Sequence, residues 1–424
     1  MVILGIAVLL GLIVLGMPIW GAIFGGCLII VVLGFGLDPI IVVAVMYDKV
    51  TSVGLIAVPL FIFSGLVLAY GGSAAPLVNV LNKFMAHIRG GPAYVVIIAC
   101  AIFGAMSSSS TAAIAGFGPI MIPMMMQMGY SRRFAIGLLM GATSLAPLIP
   151  PSIPLILFGF ITSTSIKDLF TAGFLPGLML AALLAITVFI HTSRGHYTPP
   201  PKATWEERWQ ALKEGWPVML MPVIILVPIY IGWFTPSEAG AVAAIYSLLL
   251  GFLVYRKLNA RTLWEAASRT VHVMAMVFAI VMSAFLLSFT FTYVRVPFAL
   301  NDMLTQAGLS APAFLIIIMV AYLLMGMFLD PGAILLISPP ILMPTVLSLG
   351  IDPIMFGVLV VFNVEIAGLT PPYGLHLFVA SGILKEKFAF IVRSCIMFYP
   401  ALIAGALLIA YIPQISLFLP HLIH

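Results

Sequence analysis

The chain carries five hydroxyl side chains in a row within otherwise apolar sequence: Ser107, Ser108, Ser109, Ser110 and Thr111. Hydroxyls and free backbone carbonyls are hard oxygen ligands, and transporters hold Na⁺ with such groups at broken helix ends. A serine in a membrane helix can instead bond back to the backbone or allow close helix packing. For any one serine the packing role is more common, but a run of five favours cation binding.

Two acids and one histidine also lie deep in apolar sequence. Asp330 and Glu365 would each cost about 2.5–3.5 kcal/mol at mid-bilayer on insertion scales, so a functional role is the default. Asp330 is either a cation ligand or a helix cap. Glu365 either ligates a cation, relays a proton or pairs with a base. His376 either contacts a substrate or packs as a hydrogen-bonded side chain.

The elements that must position these residues occur twice. The first copy is Pro119-Ile-Met-Ile-Pro123, Gly129 and Pro150-Pro151; the second is Pro340-Ile-Leu-Met-Pro344, Gly350 and Pro371-Pro372. The same sequence offset separates every matched pair, so the copies align without a gap. Each copy places a Pro-Pro pair inside a long apolar segment. Paired, interrupted apolar segments in two halves of a membrane protein point to a transporter binding site.

Each Pro-Pro pair lacks two N–H donors, so carbonyls one turn earlier lose their partners and can face a cation. The half-helix that follows directs its positive N-terminal end at the same place, which suits a carboxylate. One feature therefore supplies a cation site and an anion site. The polar residues of these segments are Thr143, Ser144 and Ser152 in the first copy and Asn363, Glu365, Thr370 and Tyr373 in the second.

Composition predicts an all-α polytopic membrane protein. The chain has 424 residues, 63% hydrophobic and 7% charged, whereas an ordinary soluble domain is roughly 25% charged. At about 20 residues per span, this length allows roughly ten to fourteen membrane segments. The net charge of +5 sits at segment ends and suggests orientation in a bilayer rather than nucleic-acid binding.

Apolar segments 92–129 and 312–349 are too long for one span, and each has a polar or Gly-rich middle. They predict two re-entrant hairpins, each followed by a Pro-Pro-broken helix. Segment 3–36 is predicted as one long bent helix. Three amphipathic stretches, 77–88, 205–216 and 263–271, are predicted to lie in the headgroup layer as interfacial arms separate from the spans, with plain cytoplasmic linkers as the alternative.

Charged residues orient the two copies. Arg132 and Arg133 begin the first broken helix, whereas Asp352 begins the second; Lys385 and Lys387 end the second. By the positive-inside rule the first unit starts in the cytoplasm and the second ends there. The repeats are therefore predicted to be inverted.

Other classes fit less well. A passive channel needs a continuous polar stripe along several helices, and none is seen. A membrane-embedded hydrolase needs a nucleophile elbow with a paired His, and the serine run lacks that pattern. There is no P-loop for ATP and no Cys/His metal cluster, so no cofactor and no metal beyond Na⁺ is expected.

The chain resembles the large membrane subunit of tripartite ATP-independent periplasmic (TRAP) transporters, the DctM family, almost end to end. The segments that carry the resemblance are 104–119, Gly129-Tyr130, 147–154, 169–177, 235–240, Leu329-Asp330, 350–353 and 369–374. It implies an elevator transporter in the bacterial inner membrane that uses Na⁺ to import an organic acid. It also implies a periplasmic substrate-binding protein and a small four-helix membrane subunit, here expected as a separate chain.

The resemblance also implies where the parts lie. The expected domains are an N-terminal scaffold with an amphipathic arm (1–91), a first transport repeat (92–168), scaffold helices with a cytoplasmic linker at 191–215 (169–311), a second transport repeat (312–387) and a C-terminal scaffold helix (388–424).

One Na⁺ site would lie between Ser107–Thr111 and Thr143–Ser152, including Pro150. The other would lie between Asp330–Gly332 and Asn363–Pro372, including Gly368, Thr370 and Pro371. The expected substrate contacts are Ser110, Ser152, Glu365, Tyr373, Gly374 and His376. In the family, a small aliphatic residue and an asparagine commonly stand where this chain has Tyr373 and His376.

Overall fold

The computed structural model describes residues 2–194, 199–306 and 308–423. Within those ranges all regular structure is helical: there are twenty-one α-helices and no β-strand. The expectation of an all-α protein is therefore confirmed. In this described part of the chain, five helices are long and apolar enough to cross a membrane, or up to seven if two bent pairs are each counted as one span.

The N-terminal segment is a helical hairpin. Helix α1 is Val2–Val14, and α2 is Ile19–Leu28 with a π-helical extension Ile29–Gly34. A side chain on Gly26 would lie 2.7 Å from the Leu9 Cβ, so the glycine allows the two helices to pack closely. The prediction of one long bent helix over 3–36 is wrong, because the chain reverses at Gly16 (φ +81°) before Pro18.

Three α-helices follow this hairpin. Helix α3 is Pro39–Val50, α4 is Ala57–Tyr70 and α5 is Ala74–Met85, with a bend of 70° between α4 and α5. The sequence patterns did not predict α3, whose N-terminus is capped by Asp38. The amphipathic stretch 77–88 falls mainly in α5, whose Leu77 and Leu81 are buried.

The first unit begins with a helical hairpin of α6 (Gly91–Ser107) and α7 (Ser110–Gln127). It continues with α8 (Arg132–Thr143), an irregular stretch 144–152, and α9 (Ile153–Thr162). The helix break at the first Pro-Pro pair is therefore where the sequence placed it.

The middle of the chain consists of long helices: α10 Ile166–Arg194, α11 Trp205–Tyr230, α12 Pro236–Leu249, α13 Ala260–Tyr293 and α14 Val296–Gln306. The amphipathic stretches 205–216 and 263–271 were expected as separate arms, but they are the first turns of α11 and α13. Both helices start at a capping box, Thr204 with Glu207 and Asn259 with Thr262, so no break separates the amphipathic turns from the apolar ones.

The second unit repeats the first. Its hairpin consists of α15 (Ala311–Gly326) and α16 (Pro331–Ser348), and its interrupted helix consists of α17 (Pro353–Gly368) and α18 (Leu375–Leu384). The single C-terminal helix expected for 388–424 is instead three: α19 Phe388–Cys395, α20 Tyr399–Tyr411 and α21 Gln414–Ile423. Pro400 and Pro413 stand at the starts of α20 and α21 and interrupt the helical ladder there.

The helix caps also recur at the offset of the two copies. Ser109 caps α7, and its counterpart Asp330 caps α16; Ser131 caps α8, and its counterpart Asp352 caps α17. A short polar side chain at each N-cap satisfies N–H groups of the first helical turn. The two units therefore share their helix starts as well as their prolines.

The ends of the two units meet pairwise. At the start of α8, Arg132 forms an ion pair with Glu386, which follows α18, and the Arg133 guanidinium donates to the carbonyl of Arg393 in α19 at 2.9 Å. At the opposite end, Phe158 of α9 packs edge-on against Phe356 near the start of α17. One set of contacts therefore lies between the start of the first interrupted helix and the end of the second, and another lies between α9 and the first turn of α17.

Candidate functional site

The tip of the first hairpin is joined to the first helix break by hydroxyl groups. The Ser108 hydroxyl donates to the Pro151 carbonyl, and the Ser110 hydroxyl is 3.1 Å from the Thr143 carbonyl. Ser108 has φ +50°, a left-handed turn conformation. The first two predicted site segments, 107–111 and 143–152, are therefore brought together.

Several predicted ligands use their hydroxyls locally. Ser109 accepts from the Ala112 N–H at 3.2 Å and lies 3.0 Å from the Thr111 hydroxyl. Thr143 donates to the Met140 carbonyl at 2.9 Å, and Ser152 caps α9 and donates to the Pro147 carbonyl. For these side chains the structure shows the capping and back-bonding role that the sequence left open.

Three other predicted cation ligands have buried polar atoms without a hydrogen-bond partner among the described residues. They are the hydroxyls of Ser107 and Ser144 and the amide of Asn363, where neither the oxygen nor the nitrogen is paired. Asn363 is only 1% exposed. An unsatisfied buried polar group costs about 1–3 kcal/mol. Hydroxyl and amide oxygen atoms are ligands that suit a hard cation such as Na⁺.

The second hairpin tip meets the second helix break. Asp330 accepts from the N–H groups of Gly332 and Ala333 at 2.9 and 3.2 Å, so it caps α16 as one of its two predicted roles requires. A side chain on Gly368 would lie 3.1 Å from the Pro331 Cγ. The segments 330–332 and 363–372 are therefore adjacent. Thr370 donates to the Ile366 carbonyl at 2.9 Å.

One contact joins the two units at the centre. The Ser110 hydroxyl donates to the Glu365 Oε2 at 2.7 Å, and His376 Nδ1 lies 3.7 Å from the same oxygen. All three side chains are buried. The histidine distance exceeds that of a hydrogen bond. Glu365 is therefore paired with a hydroxyl from the other unit, with the imidazole close by.

Other predicted residues lie at the edge of this cluster. Tyr373 is 40% exposed and packs against Phe378, with 5.6 Å between ring centroids. Gly374 has φ +49°, which favours glycine, and starts α18. Pro150 and Pro371 lie in the two helix breaks. The Tyr399 hydroxyl donates to the Leu369 carbonyl at 2.6 Å, a contact that no sequence signal predicted.

Close helix contacts also recur in the two units. A side chain on Gly104 would lie 2.5 Å from the Ala146 Cα, and one on Gly326 would lie 2.3 Å from the Ala367 Cβ. Ala146 and Ala367 occupy matching positions of the two copies. The sequence analysis overlooked these contacts, although the constant offset would have revealed the alanine pair. Each hairpin is thus held against its helix break without intervening side chains.

A sequence model of the family described as "Tripartite ATP-independent periplasmic transporter, DctM component" matches residues 6–415. The C4-dicarboxylate TRAP transporter large permease protein DctM of Rhodobacter capsulatus is 35% identical over 393 residues, which is 89% of each chain. The ectoine/5-hydroxyectoine TRAP transporter large permease protein UehC of Ruegeria pomeroyi is 35% identical over 375 residues, 88% of this chain and 87% of that protein. Among solved structures, the Alcanivorax borkumensis YdaH transporter has a similar fold, with a TM-score of 0.61 and 16% identity over 86% of each chain.

Proposed function

Because the chain belongs to the DctM-component family of TRAP transporters, we propose that this large permease imports an organic acid anion together with Na⁺. The substrate is a C4-dicarboxylate, sialic acid or a similar carboxylate. The C4-dicarboxylate named for one relative supports this class, and the ectoine named for another widens the range of candidates.

The observation that carries the proposal is the set of unpaired oxygen atoms at Ser107, Ser144 and Asn363. They lie in or next to the hairpin tip and helix breaks, where prolines leave carbonyls without N–H partners. A monovalent hard cation satisfies such oxygens without an acidic cluster. Asp330 and Gly332 at the second hairpin tip, and Gly368, Thr370 and Pro371 in the second break, complete the proposed cation ligands.

The distribution of charged side chains also favours coupling of anion binding to Na⁺ binding. No Lys or Arg side chain is buried among the described residues, so neither residue type pairs with a carboxylate at the centre. Positive charge there would come from bound Na⁺ and from helix N-terminal ends, such as those of α9 and α18, which begin after the two breaks. Anion affinity should therefore depend on Na⁺. Ser110, Ser152, Glu365 and His376 are proposed to contact the substrate, with Tyr373 and Gly374 at the edge.

The proposed mechanism is an elevator built from inverted repeats. Support comes from the meeting ends: Arg132 with Glu386 at one end, and Phe158 with Phe356 at the other. The Gly104 and Gly326 contacts, together with the Ser110–Glu365 bond, support movement of both hairpins and both interrupted helices as one body. The other helices, which include α4 and α10–α13, would form the static scaffold.

The proposed partners are a separate four-helix membrane subunit and a periplasmic substrate-binding protein, in the bacterial inner membrane. Basic residues at the start of α8 and after the end of α18 favour a cytoplasmic position for those ends. The substrate would then be received at the end where α9 finishes and α17 begins.

Uptake into proteoliposomes tests the proposal. The chain and its small partner are reconstituted, with a binding protein and labelled organic acid outside, at clamped voltage. We expect uptake only with both an inward Na⁺ gradient and the binding protein. Uptake indifferent to Na⁺ would contradict the cation sites and would favour proton coupling at the adjacent Glu365 and His376. Uptake without the binding protein would contradict the tripartite assembly.

A further inference from the structure

Helix α13 is longer than a bilayer requires. Its 34 residues span about 51 Å at 1.5 Å per residue, whereas the hydrocarbon core is about 30 Å thick. Its continuous apolar run begins near Val271. The three turns before Val271 therefore extend through the lipid headgroup layer.

Those first turns carry a groove with a cavity volume of about 480 Å³, lined by Arg261, Trp264, Glu265, Ser268, Arg269 and His272. The lining positions follow helical spacing, so they share one face of α13. The Trp264 side chain is 75% exposed, although tryptophan is among the most apolar of large side chains. An exposed indole beside arginines at this depth is typical of a membrane interface.

The charges of the groove favour an anion. The Tyr70 hydroxyl donates to Glu265 Oε1 at 3.2 Å and accepts from Arg269 at 3.0 Å. The one acid of the groove is thus engaged by a neighbouring helix. Arg261 makes no hydrogen bond or ion pair to the described residues. Its guanidinium therefore keeps all its donors for a phosphate group.

The residues before the groove add to this charge. Arg256 and Lys257 lie in the turn that precedes α13, so four basic residues and one acid fall between 256 and 272. A cluster of four or more basic residues beside a membrane helix is a recognition pattern for anionic lipid headgroups.

We propose that this groove binds the phosphate headgroup of an anionic phospholipid, with Arg261 and Arg269 on the phosphate and Trp264 against the glycerol and upper acyl chain. A partner protein fits less well. The groove is charged and confined to the headgroup depth, while the next exposed turns at Val271 and Met276 are apolar and suit lipid chains. The inference goes beyond the proposed transport function and depends only on the position of α13 in a bilayer.

Native mass spectrometry of the purified complex of this chain with its small partner tests the proposal, with phosphatidylglycerol or phosphatidylcholine added stepwise. Each arginine near an anionic surface contributes about 1 kcal/mol, or roughly fivefold in affinity. We therefore expect the tightest phosphatidylglycerol site to weaken about fivefold in Arg261→Gln and about 25-fold in Arg261→Gln/Arg269→Gln. Arg295→Gln is the matched control, because Arg295 is an exposed arginine just beyond the other end of α13.

Five results would overturn the proposal. The first is that Arg261→Gln binds phosphatidylglycerol as tightly as the unmodified chain does. The second is that Arg295→Gln weakens binding as much as Arg261→Gln does. Phosphatidylcholine would bind as tightly as phosphatidylglycerol. Millimolar inorganic phosphate would displace the lipid, which would indicate a small-anion site. The last is that the chain alone binds the lipid but its complex with the small subunit does not. That result would identify the groove as the interface with the small subunit.

Discussion

Replacing Gly326 with alanine tests whether direct contact between the second hairpin and its helix break is required. The added methyl group would lie 2.3 Å from the Ala367 Cβ and 2.9 Å from its Cα, whereas carbon atoms in contact are about 3.5–4.0 Å apart. Helices α15 and α17 would have to separate by about 1 Å to restore that contact distance. Because the neighbouring atoms belong to the backbone and a Cβ, no side chain can rotate to make room.

Such overpacking costs typically about 1–3 kcal/mol, offset by about 1 kcal/mol for replacing a helical glycine. The expected net loss in the free energy of unfolding is thus up to about 2 kcal/mol. Gly382 in α18 is the matched control, since a side chain there would meet nothing within 4 Å. Gly382→Ala should be neutral or stabilising.

The assay is the thermal unfolding midpoint of the purified complex, measured with Na⁺ and with choline as the replacement cation. Gly326→Ala should lower the unfolding midpoint in Na⁺ and in choline, and it should abolish the increase of the midpoint on adding Na⁺. Gly382→Ala should keep that increase. The reasoning is refuted if Gly326→Ala behaves like Gly382→Ala. Gly104→Ala should reproduce the effect in the first unit, because its methyl group would lie 2.5 Å from the Ala146 Cα.

Three further substitutions address single side chains. Asp330→Ala should lower the free energy of unfolding by about 0.5–2 kcal/mol because the helix cap is lost. Asp330→Asn should keep the unfolding midpoint but raise the Na⁺ concentration that gives half-maximal uptake. If that concentration is unchanged, Asp330 is a helix cap and not a Na⁺ ligand. Asn363→Leu removes an amide that has no hydrogen-bond partner among the described residues. It should therefore abolish Na⁺-driven uptake without lowering the unfolding midpoint. A lower midpoint would show that the amide already has a hydrogen-bond partner in the protein. Ser110→Ala leaves the buried Glu365 without its donor and should lower the midpoint by an amount equivalent to about 1–3 kcal/mol, more than Ser64→Ala, whose hydroxyl donates only to a carbonyl.

Local chemistry made much of the architecture predictable from the sequence. A Pro-Pro pair cannot continue a helix, so both breaks were predicted at their observed positions. The serine run and Leu329-Asp330 mark hairpin tips because short polar residues favour turns and N-caps. The positions of Ser107, Ser144 and Asn363 near the tips followed from these breaks.

The errors arose where packing between distant segments decides the structure. Hydropathy alone does not distinguish a long bent helix from the tight hairpin of α1 and α2, which depends on glycine contacts. The sequence pattern predicted that the amphipathic turns of α11 and α13 form separate arms. Both helices instead begin at a capping box that precedes these turns, and each continues into its apolar segment. Ser110 and Glu365 are 255 residues apart in sequence, and no pairwise signal in one sequence indicates their contact.

Sodium flux measures the central claim most directly: the tips of both units form one site in which Na⁺ and the anion depend on each other. Proteoliposomes containing the complex are given ²²Na⁺, binding protein and labelled organic acid outside, at clamped voltage. With two cation sites, ²²Na⁺ should enter only when substrate is present, with more than one Na⁺ per substrate, and Asn363→Leu should abolish both fluxes together. Entry of ²²Na⁺ without substrate, or of substrate without ²²Na⁺, would contradict the account.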